Sequence, residues 1–274
     1  MELFSYSFVW VALFVSFLVS ICAGVIGAMI VANKNVFVAG GVAHGAFGGV
    51  GIALYLGFSP TLGALGFGVG LALFLAYAFL YQKPRLDAYV GASWAFGMAL
   101  GVVLMDLREG YGSDLSSYLF GSILAVTHTD MWLIGGFDVA LLLFVWRYYY
   151  EILALFYQSE LCALKGFRLG AWVGAIFVLI AIGVVLSMSV AGLVLVLALL
   201  CIPAYIAQLF SHSLKSMMFY SWLISLLFMW GGFFIAYFYN LSVGACIVLL
   251  LCLGMLLALL WHKWQNLTKS RRTL

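Results

Sequence analysis

Few side chains here can do chemistry, and His44 stands apart from the rest. It lies about eight residues into the apolar run 36–56, roughly 12 Å deep on a helix. Neutral imidazole is a ligand for zinc and similar metals, and an ionisable group at membrane depth marks a functional position by default. Gly40, His44, Gly48 and Gly51 share one helical face, and a glycine stripe lets another helix approach closely. His44 therefore faces protein or a pore rather than lipid; its alternative role is a packing hydrogen bond between helices. Asp138 lies at similar depth in the run 131–150, where it either faces a pathway or pairs with a hydroxyl on another helix. The third set is a polar island, residues 110–130, GYGSDLSSYLFGSILAVTHTD. Asp114 and His128 on it could form part of an outer gate, while Asp130 reads as the N-cap of the span that follows. The apolar centre of the island, 118–126, is too short to cross a bilayer, which takes about 20 residues. Segment 114–126 is thus either re-entrant, shaping the mouth of a pathway, or an interfacial helix capping a bundle.

These groups must be positioned by membrane spans. Of 274 residues, 67% are hydrophobic and 8% charged, with mean hydropathy +1.20. A soluble domain carries roughly 25% charge. The chain is read as all-α, a single polytopic transmembrane domain over 1–274. The apolar runs are continuous rather than alternating, which excludes a β-barrel. The start, MELFSYSF, lacks a positive n-region and is kept with the first span. Apolar runs predict nine spans, near 8–31, 36–56, 61–81, 88–107, 131–150, 171–188, 191–210, 217–238 and 244–261. The weakest boundary is 187–190; merging across it gives eight.

Lys and Arg decide between eight and nine. With the C-terminal Lys263, Lys269, Arg271 and Arg272 in the cytoplasm, nine spans leave only Arg108 outside. Eight would put Lys215 and the C-terminus opposite the other basic loops. The outer face is then acidic, with Glu2, Asp106, Glu109, Asp114 and Asp130, and a negative mouth concentrates cations. Topology explains the net charge of +3, so no nucleic-acid partner is implied. The cytoplasmic stretch 147–170 mixes apolar residues with Glu151, Glu160, Lys165 and Arg168, as a short amphipathic helix for lipid or a partner groove would. The five cysteines form no CxxC pair and read as packing residues. No GxSxG, HExxH or GxxxxGK[ST] is present, so the chain holds no nucleotide and is no enzyme; any ATP is hydrolysed by another subunit.

The island resembles the signature of the integral-membrane permeases of metal-ion ABC transporters, the zinc/manganese/iron uptake family. Their run G-x-x-x-D-L-x-S-Y-L-F-G-S-I-L-A-V-x-x-x-D is matched by Gly110, Asp114, Leu115, residues 117–126 and Asp130. KPRLDAYVG (83–91), GLVLVLALLCIPA (192–204) and VGACIVL (243–249) look like further family elements, and SELCALKG (159–166) is similar to the segment that docks on the ATPase. Departures fall at sensitive places: Gly40 and Ala43 stand where the family has Asp and Ser before the retained His44. Gln208 replaces an Arg, and Asn240 and Ser242 replace Asp and Pro.

The resemblance implies a homodimeric permease of the bacterial inner membrane, multi-pass, with its C-terminus in the cytoplasm. Metal would pass His44, Asp114, His128 and Asp138. The ATP-binding subunit would dock at Glu151, Glu160, Lys165, Gly166 and Arg168, and an extracytoplasmic metal-binding protein would deliver the ion. No cofactor is bound stably; the transported ion is zinc first, then manganese or iron. The competing reading is a stand-alone secondary transporter or channel for a cation or small solute.

Overall fold

The computed structural model describes residues 7–107, 126–157 and 168–270. Asp114, most of segment 114–126, Glu160, Lys165 and Gly166 lie outside the described residues. Among those described there are ten α-helices and no strand: α1 Ser7–Ala32, α2 Val36–Leu56, α3 Pro60–Tyr81, α4 Leu86–Asp106, α5 His128–Arg147, α6 Tyr149–Tyr157, α7 Leu169–Ala191, α8 Leu193–Phe210, α9 Leu214–Tyr239 and α10 Val243–Ser270. All but α6 are long and apolar enough to cross a membrane, so among the described residues nine candidate spans are found. Each begins within three residues of its expected start; the last runs on past 261 to Ser270.

The disputed boundary is a break, placed by glycine a few residues later than expected. Gly192 has φ +82° and ψ 157°, a region open to glycine alone, and it ends α7 and starts α8. Pro203 does not break α8, which continues through it to Phe210. Asn240, where the resembled family has Asp, caps α9 at φ 51°; Asn tolerates this left-handed conformation. The reading of Asp130 as an N-cap is corrected. Thr127 is the N-cap of α5, and Asp130 is its N3 partner in a capping box, with Thr127 Oγ1 donating to Asp130 Oδ2 at 2.6 Å.

Two helices act as hubs. α1 packs on α8, α9, α5 and α7; α2 packs on α3, α4 and α7. Lipid tails are as apolar as the helices, so close packing must supply the attraction. Small residues make that possible: a Cβ on Gly24 would sit 2.6 Å from the Trp222 backbone of α9. In their spans, α2, α7 and α1 are 78%, 72% and 67% buried, whereas α4, α5 and α10 are 28%, 22% and 17% buried, and form the rim.

Three cavities sort the helix ends. One gathers Asn33, Lys83 and Leu169, a second gathers Arg147, Tyr149 and Lys215, and a third gathers Ser59, Thr127, Asp130 and Ser189. The first two hold the basic loops. The third holds the opposite end, as nine crossings require.

Candidate functional site

His44 is built into the most buried span. Val42, Ala43, Gly45 and Ala46 around it are buried, while His44 is half-buried. The glycines expected to admit a second helix do so. A Cβ on Gly48 would meet the Gly97 carbonyl oxygen at 3.0 Å, and one on Gly51 would meet Gly101 Cα at 2.6 Å, so α4 lies flush on α2. That approach brings Trp94 over the imidazole, the rings stacked with centroids 3.8 Å apart. Such a pair contributes about 0.5–1.5 kcal/mol beyond burial.

The ring's polarity is also set. His44 Nδ1 lies 2.9 Å from the Gly40 carbonyl oxygen. A carbonyl only accepts, so Nδ1 carries the hydrogen, and in the neutral ring Nε2 keeps its lone pair. Imidazoles that bind metals are commonly held this way, the far N–H on a carbonyl fixing tautomer and orientation. Gly40 itself is open: a Cβ there would meet only Leu197 Cδ2, at 3.8 Å. The missing carboxylate at this position is therefore not dictated by space.

Asp138 is held differently. It is 2% exposed, on the face of α5 turned to the core, and neither carboxylate oxygen has a hydrogen-bond partner. The hydroxyl partner that the sequence allowed is not made. Its neighbour Phe137 packs near the place where α1 meets α7, where Ser187 Oγ lies 3.4 Å from Cys22 Sγ. Cys22 is buried and free, as a packing cysteine should be.

The remaining expected residues separate. His128 is exposed, at the first position of α5; Thr127, Thr129 and Asp130 line a cavity of about 600 Å³ with Ser59, Thr61 and Ser189. At the basic end, α6 is the expected amphipathic helix, with Tyr149 and Ile152 buried. Glu151 is half-buried on it, and Arg168 is exposed just before α7. Among the described residues no three His, Cys, Asp or Glu side chains converge as a metal site. His44 sits on the α2 wall against Trp94 of α4, and Asp138 on the α5 wall.

Sequence reasoning missed Trp94, the capping role of Thr127 and the contact of Cys22 with Ser187. The spacing of Gly97 and Gly101 was the available signal for Trp94, since it repeats on α4 the small-residue stripe of α2. Thr127, three residues before Asp130, was the available capping-box signal. Cys22 meets Ser187 only through tertiary contact and had none.

Comparison with known proteins agrees with the nine-span architecture. The model of the ABC 3 transport family matches residues 5–262. The chain is 36% identical over 258 residues to an uncharacterised membrane protein of Synechocystis sp., covering 94% of this chain and 92% of that protein. It is 31% identical over 238 residues to the manganese import system permease protein ScaB of Streptococcus parasanguinis, covering 87% and 85%. Among solved structures, PsaBC from Streptococcus pneumoniae in complex with Fab superposes with TM-score 0.82 at 30% identity, covering 93% of this chain and 92% of that one. A match that spans nearly every described helix, joined to the 110–130 run, leaves one assignment: the chain belongs to the ABC 3 transport family, as an integral-membrane permease of the metal-ion ABC transporters.

Proposed function

We propose that this permease imports a divalent transition metal by alternating access. It works as a pair of copies, with ATP hydrolysed by separate subunits under the basic end and the ion delivered at the opposite end by an extracytoplasmic binding protein. The observation that carries this reading is His44: an imidazole at membrane depth, oriented through Nδ1, with the Nε2 lone pair left for a cation. The ligand set is sparse, as a pathway needs, because an ion held too tightly does not leave.

Other residues take supporting roles in the proposal. Asp114 and His128 attract the ion at the mouth. Asp138 enters the pathway in the other access state, when α5 shifts against α1 and α7 and its carboxylate gains a partner. α6 with Glu151, followed by Glu160, Lys165, Gly166 and Arg168, transmits closure of the ATPase. The basic end is cytoplasmic by the positive-inside rule, in a bacterial inner membrane, and the C-terminus lies on that side.

Zinc is the proposed ion. Imidazole suits zinc, whereas manganese favours hard carboxylates, and the carboxylate position one turn before His44 is Gly40. The similar ScaB is named for manganese, so the choice needs direct measurement. The permease, reconstituted with its ATPase in vesicles, should accumulate zinc ahead of manganese only while ATP is hydrolysed. Uphill uptake driven by an ion gradient with no ATPase present would overturn the transport reading. Preference for manganese would overturn the choice of ion alone.

A further inference from the structure

A cavity of about 780 Å³ opens at the basic end between α1, α5 and α9. Its walls are apolar, from Ile21, Val25, Leu142 and Met218, and its rim carries Arg147 and Lys215. It shares no lining with His44 or Asp138. Both cations are exposed and rest on aromatic faces: the Arg147 guanidinium carbon lies 5.0 Å from the Tyr148 ring centroid, and Lys215 Nζ lies 4.4 Å from that of Tyr149. No carboxylate among the described residues pairs with either. Trp222 also lines the cavity, and its buried Nε1 hydrogen has no acceptor.

We propose that this cavity binds one anionic phospholipid, its phosphate between Arg147 and Lys215 and its acyl chain along Ile21 and Val25. Depth argues for lipid over a soluble partner. Ile21 and Val25 lie eleven and seven residues before the end of α1, so roughly 16 and 10 Å into the span. Hydrocarbon reaches there; a cytoplasmic subunit does not. Charge argues against a second copy, since a chain of the same orientation presents the same basic residues at that end. A lipid headgroup supplies the anion that two cations without a carboxylate partner among the described residues attract at a membrane boundary. The leaflet assigned to the site rests on the topology proposed above; the lipid itself does not.

The test is native mass spectrometry of the delipidated full chain, equilibrated with equal phosphatidylglycerol and phosphatidylcholine. Neither metal nor ATPase is needed, so failure here and failure of the transport reading are read separately. The expected result is one phosphatidylglycerol retained per chain, at least tenfold over phosphatidylcholine. The preference should vanish in R147Q/K215Q and persist in the charge-conserving R147K/K215R and in K34Q, a basic residue outside the cavity. A single monodisperse peak in size exclusion shows that each variant is folded. Equal retention of both lipids by the wild type overturns the proposal. So does a preference that survives R147Q/K215Q, or a variant that changes the monomer–dimer ratio instead of the lipid count.

Discussion

His44 and Asp138 are both ionisable groups inside spans, yet the fold treats them in opposite ways. α2 is buried along most of its length but leaves His44 half-exposed, its ring braced by Trp94 and its Nδ1 satisfied by Gly40. α5 is a rim helix, exposed along most of its length, yet it turns Asp138 inward with both oxygens unsatisfied. One group is presented and the other is stored. On the proposed reading, a presented imidazole needs only an ion to arrive, and a stored carboxylate needs helices to move first. Wherever alternating access operates, the first is expected to govern binding and the second to follow the conformational cycle.

The largest effect should come from removing what presents His44. Gly51→Leu would drive a side chain into the Gly101 backbone, 2.6 Å from Cα and 2.7 Å from the carbonyl oxygen. Overpacking typically costs about 1–3 kcal/mol, and backbone gives way less than side chains do. The prediction is a sharp fall in melting temperature and yield, whereas Gly66→Leu, which meets nothing within 4 Å, melts like the parent. Equal melting of the two variants would mean that α4 does not lie on α2 as described.

Next in size is the imidazole itself. His44→Ala should leave the protein folded and lower ATP-dependent metal uptake by about tenfold or more. Gly40→Asp sharpens the test, because the space for a side chain exists there. A carboxylate one turn from the imidazole should shift preference from zinc toward manganese, read as the ratio of the two uptake rates. Normal uptake by His44→Ala would take His44 out of the pathway.

Asp138 is predicted to behave in the reverse sense. Asp138→Asn keeps the shape and removes an acid that finds no partner at a depth where charge costs about 3 kcal/mol. Stability should hold or rise by about 1 kcal/mol, a few degrees in melting temperature, while uptake falls. A destabilised Asp138→Asn would instead make Asp138 a structural group.

Much of this was legible from the residues alone, for physical reasons that also mark where legibility ended. Spans announce themselves because every backbone group in lipid must be satisfied within a helix, so an apolar run becomes a span. Arg147, Lys215 and Lys83 fixed nine over eight because charge cannot change side without another crossing. His44 was legible through the neighbouring glycines, since a stripe of small residues states that a helix will lie there. Trp94 was legible only in part: Gly97 and Gly101 announce that α4 lies on α2, but the stacking partner is chosen by the register of the two helices. The isolation of Asp138 was not legible, because it needs α1 and α7 in place before its lack of partners can be seen. The Gly192 break was placed slightly early because Ser187 and Ser189 interrupt the apolar run there, whereas backbone conformation, not hydropathy, ends the helix.

The smallest predicted effect tests how the N-terminal end of α5 is fixed. Thr127 Oγ1 accepts from the Asp130 backbone N–H at 3.3 Å, and Asp130 Oδ2 accepts from the Thr127 N–H at 3.1 Å. The box satisfies donors that the first turn of a helix cannot bond internally. Thr127→Ala removes the hydroxyl and should cost about 1 kcal/mol, felt locally. Amide exchange should quicken over 128–131, while α2 keeps its protection and melting moves by no more than a few degrees. Since Thr127 and Asp130 line the cavity at the end opposite the basic loops, uptake at saturating metal should hold, because His44 remains as presented. If exchange instead quickened along α2 as well, the two walls would be coupled at rest, and the contrast between a presented and a stored group would fail.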